Sequence, residues 1–146
     1  MSMSPADAPP SRAAVTLLHV FSTFNVGGPQ VRFVKIAERL GDRYKHLVLA
    51  TDHQYGARSL TQGVSSIVIS DAAFDKRNTV ANLPLYRRLI RASGANRLIT
   101  YNWGATEWAL ANLLAGIPHV HIEDGFGPEE VHGQLARRVW FRRLAL

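Results

Sequence analysis

The fold is decided by one stretch near the start of the chain, Val15-Thr-Leu-Leu-His-Val-Phe21-Ser-Thr-Phe-Asn-Val-Gly-Gly-Pro29. Its first seven residues form a nearly continuous apolar run, which is typical of a strand buried on both faces of a parallel sheet. A loop from Ser22 to Gly28 follows, and Pro29 stands where proline is well tolerated, in the first turn of a helix. The stretch therefore predicts a strand, a glycine turn and a helix in succession.

Strands and helices alternate along the rest of the chain. Apolar residues recur at helical spacing from Val31 to Leu40, and Gly41 marks the end of that helix. Further strands are predicted at 46–50, 64–69, 97–101 and 119–123, and further helices at 83–92, 105–115 and from about residue 129. Because right-handed crossovers bury both sides of a parallel sheet, we predict an α/β, Rossmann-like parallel sheet with helices on both faces.

The composition fits one globular domain behind a short leader. The chain has 146 residues, of which 47% are hydrophobic and 19% charged. Residues 1–14 are small, polar and rich in proline and lack the features of a signal peptide, so we expect a disordered leader before a domain at 15–146. The chain has no cysteine for disulfides, and no apolar run approaches the roughly 20 residues that span a bilayer. A soluble, cytoplasmic protein is expected.

The end of the sequence and its basic patches have open interpretations. The last predicted helix has no cap before Leu146, which predicts a truncated chain. The net charge of +6 is concentrated in two groups of arginines, at 87–91 and at 137–143. Anionic membranes and phosphorylated small molecules suit such patches, as does a plain solvated helix face, and we expect no nucleic acid partner. The last helix, with Trp140 on its apolar side, either lies on the inner membrane face or packs on the domain.

The turn containing Gly27 and Gly28 is the sharpest local signal of a binding site. Adjacent glycines let the backbone approach a ligand closely, and the helix that follows offers free N–H groups to an anion. The alternative is a plain tight turn that needs glycine for a positive φ. The spacing excludes the dinucleotide pattern G-x-G-x-x-G and the phosphate loop G-x-x-x-x-G-K-[ST]. Without those glycines, Asp52 is weak support for a nicotinamide enzyme.

Two more groups of polar residues follow predicted strands. The first is His119-Val-His-Ile-Glu-Asp-Gly125, in which alternation places His119, His121 and Glu123 on one face of the strand. Histidine can shuttle a proton near neutral pH, and the alternative is a buried, hydrogen-bonded structural role for His121. The second group contains Asn102 and Trp103, whose amide and aromatic ring suit a sugar, although tryptophan packs in the core more often.

Taken together, these segments resemble the N-terminal domain of the family-4-like glycosyltransferases of the GT-B fold. The resemblance extends from about residue 15 to residue 146. It rests on three segments in order, Phe24-Asn-Val-Gly-Gly-Pro-Gln30, Ile99-Thr-Tyr-Asn-Trp-Gly-Ala105 and His119-Val-His-Ile-Glu-Asp-Gly-Phe-Gly-Pro128. The last is similar to the family's His-Thr-Glu-His-Gly segment, with Asp124 where the family usually has its second histidine.

The resemblance implies a function and a set of site residues. It implies an N-terminal, acceptor-side half of an enzyme that transfers a sugar from a nucleotide-diphosphate sugar, with retention, to a glycan or lipid-linked acceptor. Such enzymes need neither a metal nor a further cofactor, and their C-terminal domain, absent here, holds the nucleotide. Gly27 and Gly28 would then lie against the donor diphosphate or its sugar, and His121 would be the catalytic residue. The acceptor would contact Asn102, Trp103, Glu123 and Asp124.

The main hypothesis is therefore half of a glycosyltransferase that builds a polysaccharide or a glycolipid. Two alternatives to it remain. One is a non-catalytic Rossmann-like module that binds a phosphorylated ligand, a glycan or a partner subunit. The other, a nicotinamide-dependent dehydrogenase, is disfavoured by the glycine spacing. On the first interpretation we expect this chain alone to turn over poorly or not at all, because no nucleotide-binding motif is present in its residues.

Overall fold

The computed structural model describes residues 14–70, 72, 74, 79–124, 136, 139, 140 and 143. The predicted leader and most of the last helix therefore lie outside the described residues. Within the described part, no helix has the length and apolar character needed to cross a membrane.

Five strands form a single sheet, and each pairs in parallel with its neighbours. They are β1 (Val15–Phe21), β2 (Tyr44–Ala50), β3 (Ile67–Ile69), β4 (Arg97–Tyr101) and β5 (His119–Ile122). Their order across the sheet is β3-β2-β1-β4-β5. The chain thus leaves β1 in one direction for β2 and later returns to the other side of β1 with β4. This topology confirms the predicted Rossmann-like fold class.

Three helices connect the strands, α1 (Gly28–Leu40), α2 (Thr79–Ala92) and α3 (Thr106–Ala115). Helix α1 carries Pro29 in its first turn and ends at Gly41, whose φ of 57° lies in the region that favours glycine. Helix α3 ends at Gly116 in the left-handed conformation, where the Gly116 N–H donates to the carbonyl of Asn112 at 2.7 Å. Short 3-10 turns occupy Gly41–Arg43, Gly56–Thr61 and Trp103–Ala105.

The helices cover both faces of the sheet, and each face has its own core. On one face, Leu18, Leu49 and Leu98 of the sheet pack against α2 and α3, where the Trp108 ring stacks on Tyr86 with 4.5 Å between the ring centres. On the opposite face α1 packs on the alternate residues of β1, β2 and β4, with Phe33 at the centre. Trp108 is fully buried and therefore a core residue.

Several element boundaries differ from the sequence prediction. Strand β3 begins at Ile67 instead of Val64, because the Val64 carbonyl accepts the Ile67 N–H and closes a turn there. Helix α2 begins at Thr79, four residues early, and contains Pro84. Trp140 was predicted on the apolar side of the last helix, which lies mostly outside the described residues. Trp140 is 72% exposed whereas Val139 is half-buried, since consecutive residues of a helix lie about 100° apart.

Candidate functional site

The candidate site lies at the carboxyl edge of the sheet between β1 and β4. Adjacent connections leave this point in opposite directions, which is where open α/β sheets bind their ligands. Three segments meet here: residues 22–27 after β1, residues 102–105 after β4, and residues 123–124 after β5. All predicted site residues except His121, which belongs to β5, stand in these segments or at the start of α1.

The glycine turn places an exposed position at the start of α1. Gly27 is extended, with φ −165° and ψ 173°, and Gly28 begins the helix. The alternative that these glycines are needed for a positive φ is therefore wrong. A Cβ on Gly28 would meet no atom within 4 Å, so glycine leaves open space there. The first turn has no side-chain cap and no acidic residue, which leaves backbone N–H donors facing outward.

Hydrogen bonds hold the loop before α1 in one conformation. The Gln30 side-chain amide donates to the Thr23 carbonyl at 2.8 Å. The Phe24 N–H donates to the Gln54 carbonyl at 2.9 Å, and the Asn25 side chain accepts the Gly56 N–H at 3.0 Å. The loop is thus tied both to α1 and to the segment after β2. Such preorganisation reduces the ordering that a ligand would otherwise have to impose.

The turns after β1 and β4 approach each other very closely at Gly104. A Cβ on Gly104 would lie 2.5 Å from the Ser22 Oγ and 2.8 Å from the Ser22 Cβ. The Thr51 hydroxyl lies between the two turns, 2.9 Å from the Ser22 carbonyl oxygen, to which it donates, and 3.3 Å from that of Gly104. Gly104 was not among the predicted site residues, although it belongs to the quoted segment Ile99–Ala105. Its role is to let two loops of the site touch.

Asn102 and Asp124, both predicted to bind the acceptor, are joined directly. Asn102 has a φ of 57° and donates its backbone N–H to the Ile122 carbonyl at 2.9 Å. Its side-chain oxygen accepts the Asp124 N–H at 2.9 Å. The Asp124 carboxylate in turn pairs with the guanidinium of Arg32 on α1. Asn102 therefore positions the chain that leaves β5, and Arg32 is a site residue that the sequence prediction missed.

The remaining predicted acceptor residues differ in exposure. Trp103 is half-buried at the start of a 3-10 turn, where its carbonyl accepts the Thr106 hydroxyl at 2.7 Å. Glu123 is exposed immediately after β5. Both residues border the same edge as the glycine turn, so a ligand over that edge can reach them.

His121 lies on the other face of the sheet from α1. Its Nδ1 is 2.8 Å from the hydroxyl of buried Thr100, which is also 2.8 Å from the Nε2 of His119. The two histidines therefore share a face, as alternation predicts, and Val120 and Ile122 take the α1 face. Burial, and secondarily His121, lower the pKa of His119 below its ordinary value. A ligand can contact both His121 and Gly28 only by lying across the carboxyl edge.

A second polar cluster, not predicted from the sequence, lies beneath α1. His19 Nδ1 is 3.0 Å from the Tyr101 hydroxyl, and His19 Nε2 is 3.0 Å from His46 Nδ1. Burial, and secondarily the nearby His46, lower the pKa of His19 to about 3. Burial also lowers the pKa of His46 and raises that of the Tyr101 hydroxyl. The available signal was the presence of histidine inside two otherwise apolar strands, where a polar ring requires hydrogen-bond partners.

The first group of arginines lies away from this edge, on α2. Arg88 and Arg91 are exposed and Arg87 is half-buried, in agreement with a predicted outward face. Arg91 donates to the Leu114 carbonyl at 3.2 Å. Among the described residues, no group of three or more histidine, aspartate or glutamate side chains is arranged to hold a metal ion.

Comparisons with known proteins do not assign this site. No protein-family model matches the chain, and no curated protein matches it. Among solved structures, the chain is similar to the C-terminal domain of a hydrogenase from Pyrococcus furiosus, at 12% identity and a TM-score of 0.46, over 83% of this chain and 100% of that one. A likeness of this degree carries no argument about activity.

Proposed function

We propose that this chain is the acceptor-side half of a retaining glycosyltransferase that uses a nucleotide-diphosphate sugar. The observation that carries the proposal is the exposed Gly28 in the uncapped first turn of α1, at the edge of the sheet where the topology changes direction. The ordered resemblance of the three segments to family-4-like glycosyltransferases supports the same assignment.

The proposed role of the glycine turn is to receive the donor diphosphate. When the bond to the sugar breaks, negative charge accumulates on the leaving diphosphate, and fixed N–H donors stabilise it most at that moment. The start of a helix contributes about 0.3–1 kcal/mol to such an anion when exposed, and up to about 2 kcal/mol when partly buried. This is a modest share of the barrier, so the proposal leaves most of the donor binding to a second domain.

The proposed acceptor lies on the other side of the same edge. Asn102 holds residues 123–124 in place, and Glu123 and Trp103 border the open space in front of them. In this proposal His121 lies nearest the reacting sugar. The Thr100 hydroxyl bonded to its Nδ1 would restrain the ring, as a group that contacts a transition state requires.

The binding half of the proposal is tested on this chain by nuclear magnetic resonance. Uridine and guanosine diphosphate sugars are titrated into 15N-labelled protein, with the free nucleoside diphosphates in parallel. We expect saturable shifts at the amides of Gly28 and Gln30. The dissociation constant should lie near the millimolar level, which corresponds to a binding free energy of about 4 kcal/mol. Unchanged amides at the start of α1 would refute the proposed diphosphate site.

Two valine variants make that titration specific. Gly28→Val fills the open space beside the first turn and should abolish the shifts. Glu38→Val changes an exposed residue near the other end of α1 and should leave the shifts intact. If both variants bind alike, the ligand is elsewhere.

The catalytic half is tested on the full coding sequence, including any domain encoded beyond Leu146. Sugar transfer from a nucleotide donor with retained configuration is the expected result, and His121→Ala should lower its rate by at least about 100-fold. A full-length protein that binds the donor and transfers nothing to glycan or lipid-linked acceptors would favour a non-catalytic module.

A further inference from the structure

A groove of about 250 Å³ runs along α1 on the side of β4 and β5. Its walls are apolar, with Phe33 and Ile36 from α1 facing Ile99 and Val120 from the sheet. Ile36 is 51% exposed and Val120 is 50% exposed. Parallel sheets normally have both faces covered, so aliphatic surface of this kind is suited to an apolar ligand.

The floor of the groove carries a polar cluster made by Tyr101, His19 and His46. Tyr101 lines the groove and is 5% exposed, and its hydroxyl contacts His19 Nδ1. A phenolic hydroxyl donates one hydrogen bond and can accept others, so one of these roles remains after the contact with His19 is made. The floor therefore has hydrogen-bonding capacity for a polar group inside the groove.

The direction of the hydrogen bonds in this cluster depends on what Tyr101 does. If Tyr101 donates to His19 Nδ1, then His19 Nε2–H donates to His46 Nδ1, and both rings carry their proton on Nε2. If His19 Nδ1–H donates to Tyr101, then His46 Nδ1–H donates to His19 Nε2, and both rings carry it on Nδ1. In either case His46 Nε2, which is buried, has no hydrogen-bond partner among the described residues.

Of the described residues that line the groove, Arg32 is the one that carries a charge, and that charge is compensated. Its guanidinium pairs with the Asp124 carboxylate. An anionic head group would be repelled by that carboxylate. It would also lose hydration between the apolar walls, which is unfavourable for a charge. A neutral hydroxyl meets neither obstacle. The charges therefore favour an uncharged head group.

We propose that this groove binds an uncharged single-chain amphiphile. Its alkyl chain lies along α1 over Ile36 and Val120, and its hydroxyl completes the hydrogen bonding of Tyr101. The ligand class is that of alkyl alcohols. The proposal concerns the α1 face of the sheet and is independent of the sugar-transfer assignment.

The test uses 1-octanol and octanoate, which share a chain of the same length, titrated into methyl-labelled protein. With 1-octanol we expect saturable shifts at the methyl groups of Ile36, Val120 and Ile122, with intermolecular nuclear Overhauser contacts to the alkyl chain. Octanoate should bind at least about tenfold more weakly. The 15N signals of the imidazole rings should show His19 and His46 in the same tautomer, with the proton either on Nε2 in both rings or on Nδ1 in both rings.

Three variants separate the groove from the rest of the surface. Ile36→Arg blocks it from an exposed position and should abolish binding, whereas Leu113→Arg changes a similarly exposed residue on α3 and should have no effect. Tyr101→Phe should weaken octanol binding by about fivefold, which corresponds to one hydrogen bond.

Several results would overturn the proposal. One is the absence of saturation up to the solubility limit of octanol, and another is equal binding of octanoate. A third is the presence, before any ligand is added, of contacts from residues 125–146 or from a second copy of the chain to Val120 and Ile36. The groove would then already be occupied by protein.

Discussion

Acidification should destabilise this protein through His19. The folded-state pKa of His19 lies at about 3, against an ordinary 6.5, because the ring is buried. Below pH 6.5 the unfolded chain therefore binds a proton that the folded chain does not. The contribution of His19 to stability is complete above pH 6.5 and is lost as the pH falls towards 3. The sign follows from linkage, since stability decreases when the unfolded state binds more protons.

The magnitude follows from the width of that window. Each pKa unit corresponds to about 1.36 kcal/mol, so a fall from pH 6.5 to pH 5 should lower the free energy of unfolding by up to about 2 kcal/mol through His19 alone. Domains of this size are typically stable by about 5–15 kcal/mol, so the loss is readily measured. His46, whose pKa burial also lowers, acts in the same direction.

The assay is urea unfolding followed by tryptophan fluorescence at several pH values between 7 and 5. His19→Gln retains a polar side chain and removes the titrating ring, so its free energy of unfolding should depend less steeply on pH than that of the wild type. His53→Asn changes an exposed histidine with a φ of 58°, which asparagine tolerates, and should retain the wild-type slope. Parallel pH profiles for wild type and His19→Gln would refute the reasoning.

Three further substitutions and one control test the packing that positions the site, each by urea or thermal unfolding. Gly104→Ala should cost about 1–3 kcal/mol because the new Cβ would overlap Ser22, whereas Gly28→Ala, which faces open space, should lie within about 0.5 kcal/mol of the wild type. Equal effects of the two alanines would contradict the close approach of the loops. Thr100→Val removes the hydroxyl that both histidines of β5 contact and should cost about 1–3 kcal/mol; a neutral effect would show that other partners replace it. Trp108→Ala should cost about 3–5 kcal/mol because the indole is fully buried, and a loss below 1 kcal/mol would place it outside the core.

Much of the fold could be predicted from local sequence patterns. The predicted strand at 15–21 matches β1 at both ends, and the one at 97–101 matches β4, because strands buried on both faces of a parallel sheet are largely apolar along their length. Gly41 and Gly116 mark the ends of α1 and α3, where only glycine adopts a positive φ without strain. The start of β3 was missed because a turn and a strand share the same apolar residues at 64–69.

The sequence also placed the glycine turn, Asn102 and Asp124 at one edge, because strand order along the chain implies which loops follow strands. It did not reveal what these residues contact. Arg32 and Asp124 are 92 positions apart in the chain, and His19 and Tyr101 are 82 apart. Periodicity reports only which face of its own element a residue takes.

What the sequence by itself determined, then, is the succession of strands and helices and the chemical nature of the loops after each strand. The tertiary structure decided which loops meet. The order β3-β2-β1-β4-β5 places Gly104 against Ser22, brings α1 over the His19 and Tyr101 cluster, and puts His121 on the opposite face from Gly28. The physical reason is that strand pairing and helix packing depend on burial summed over distant residues, which no local spacing encodes.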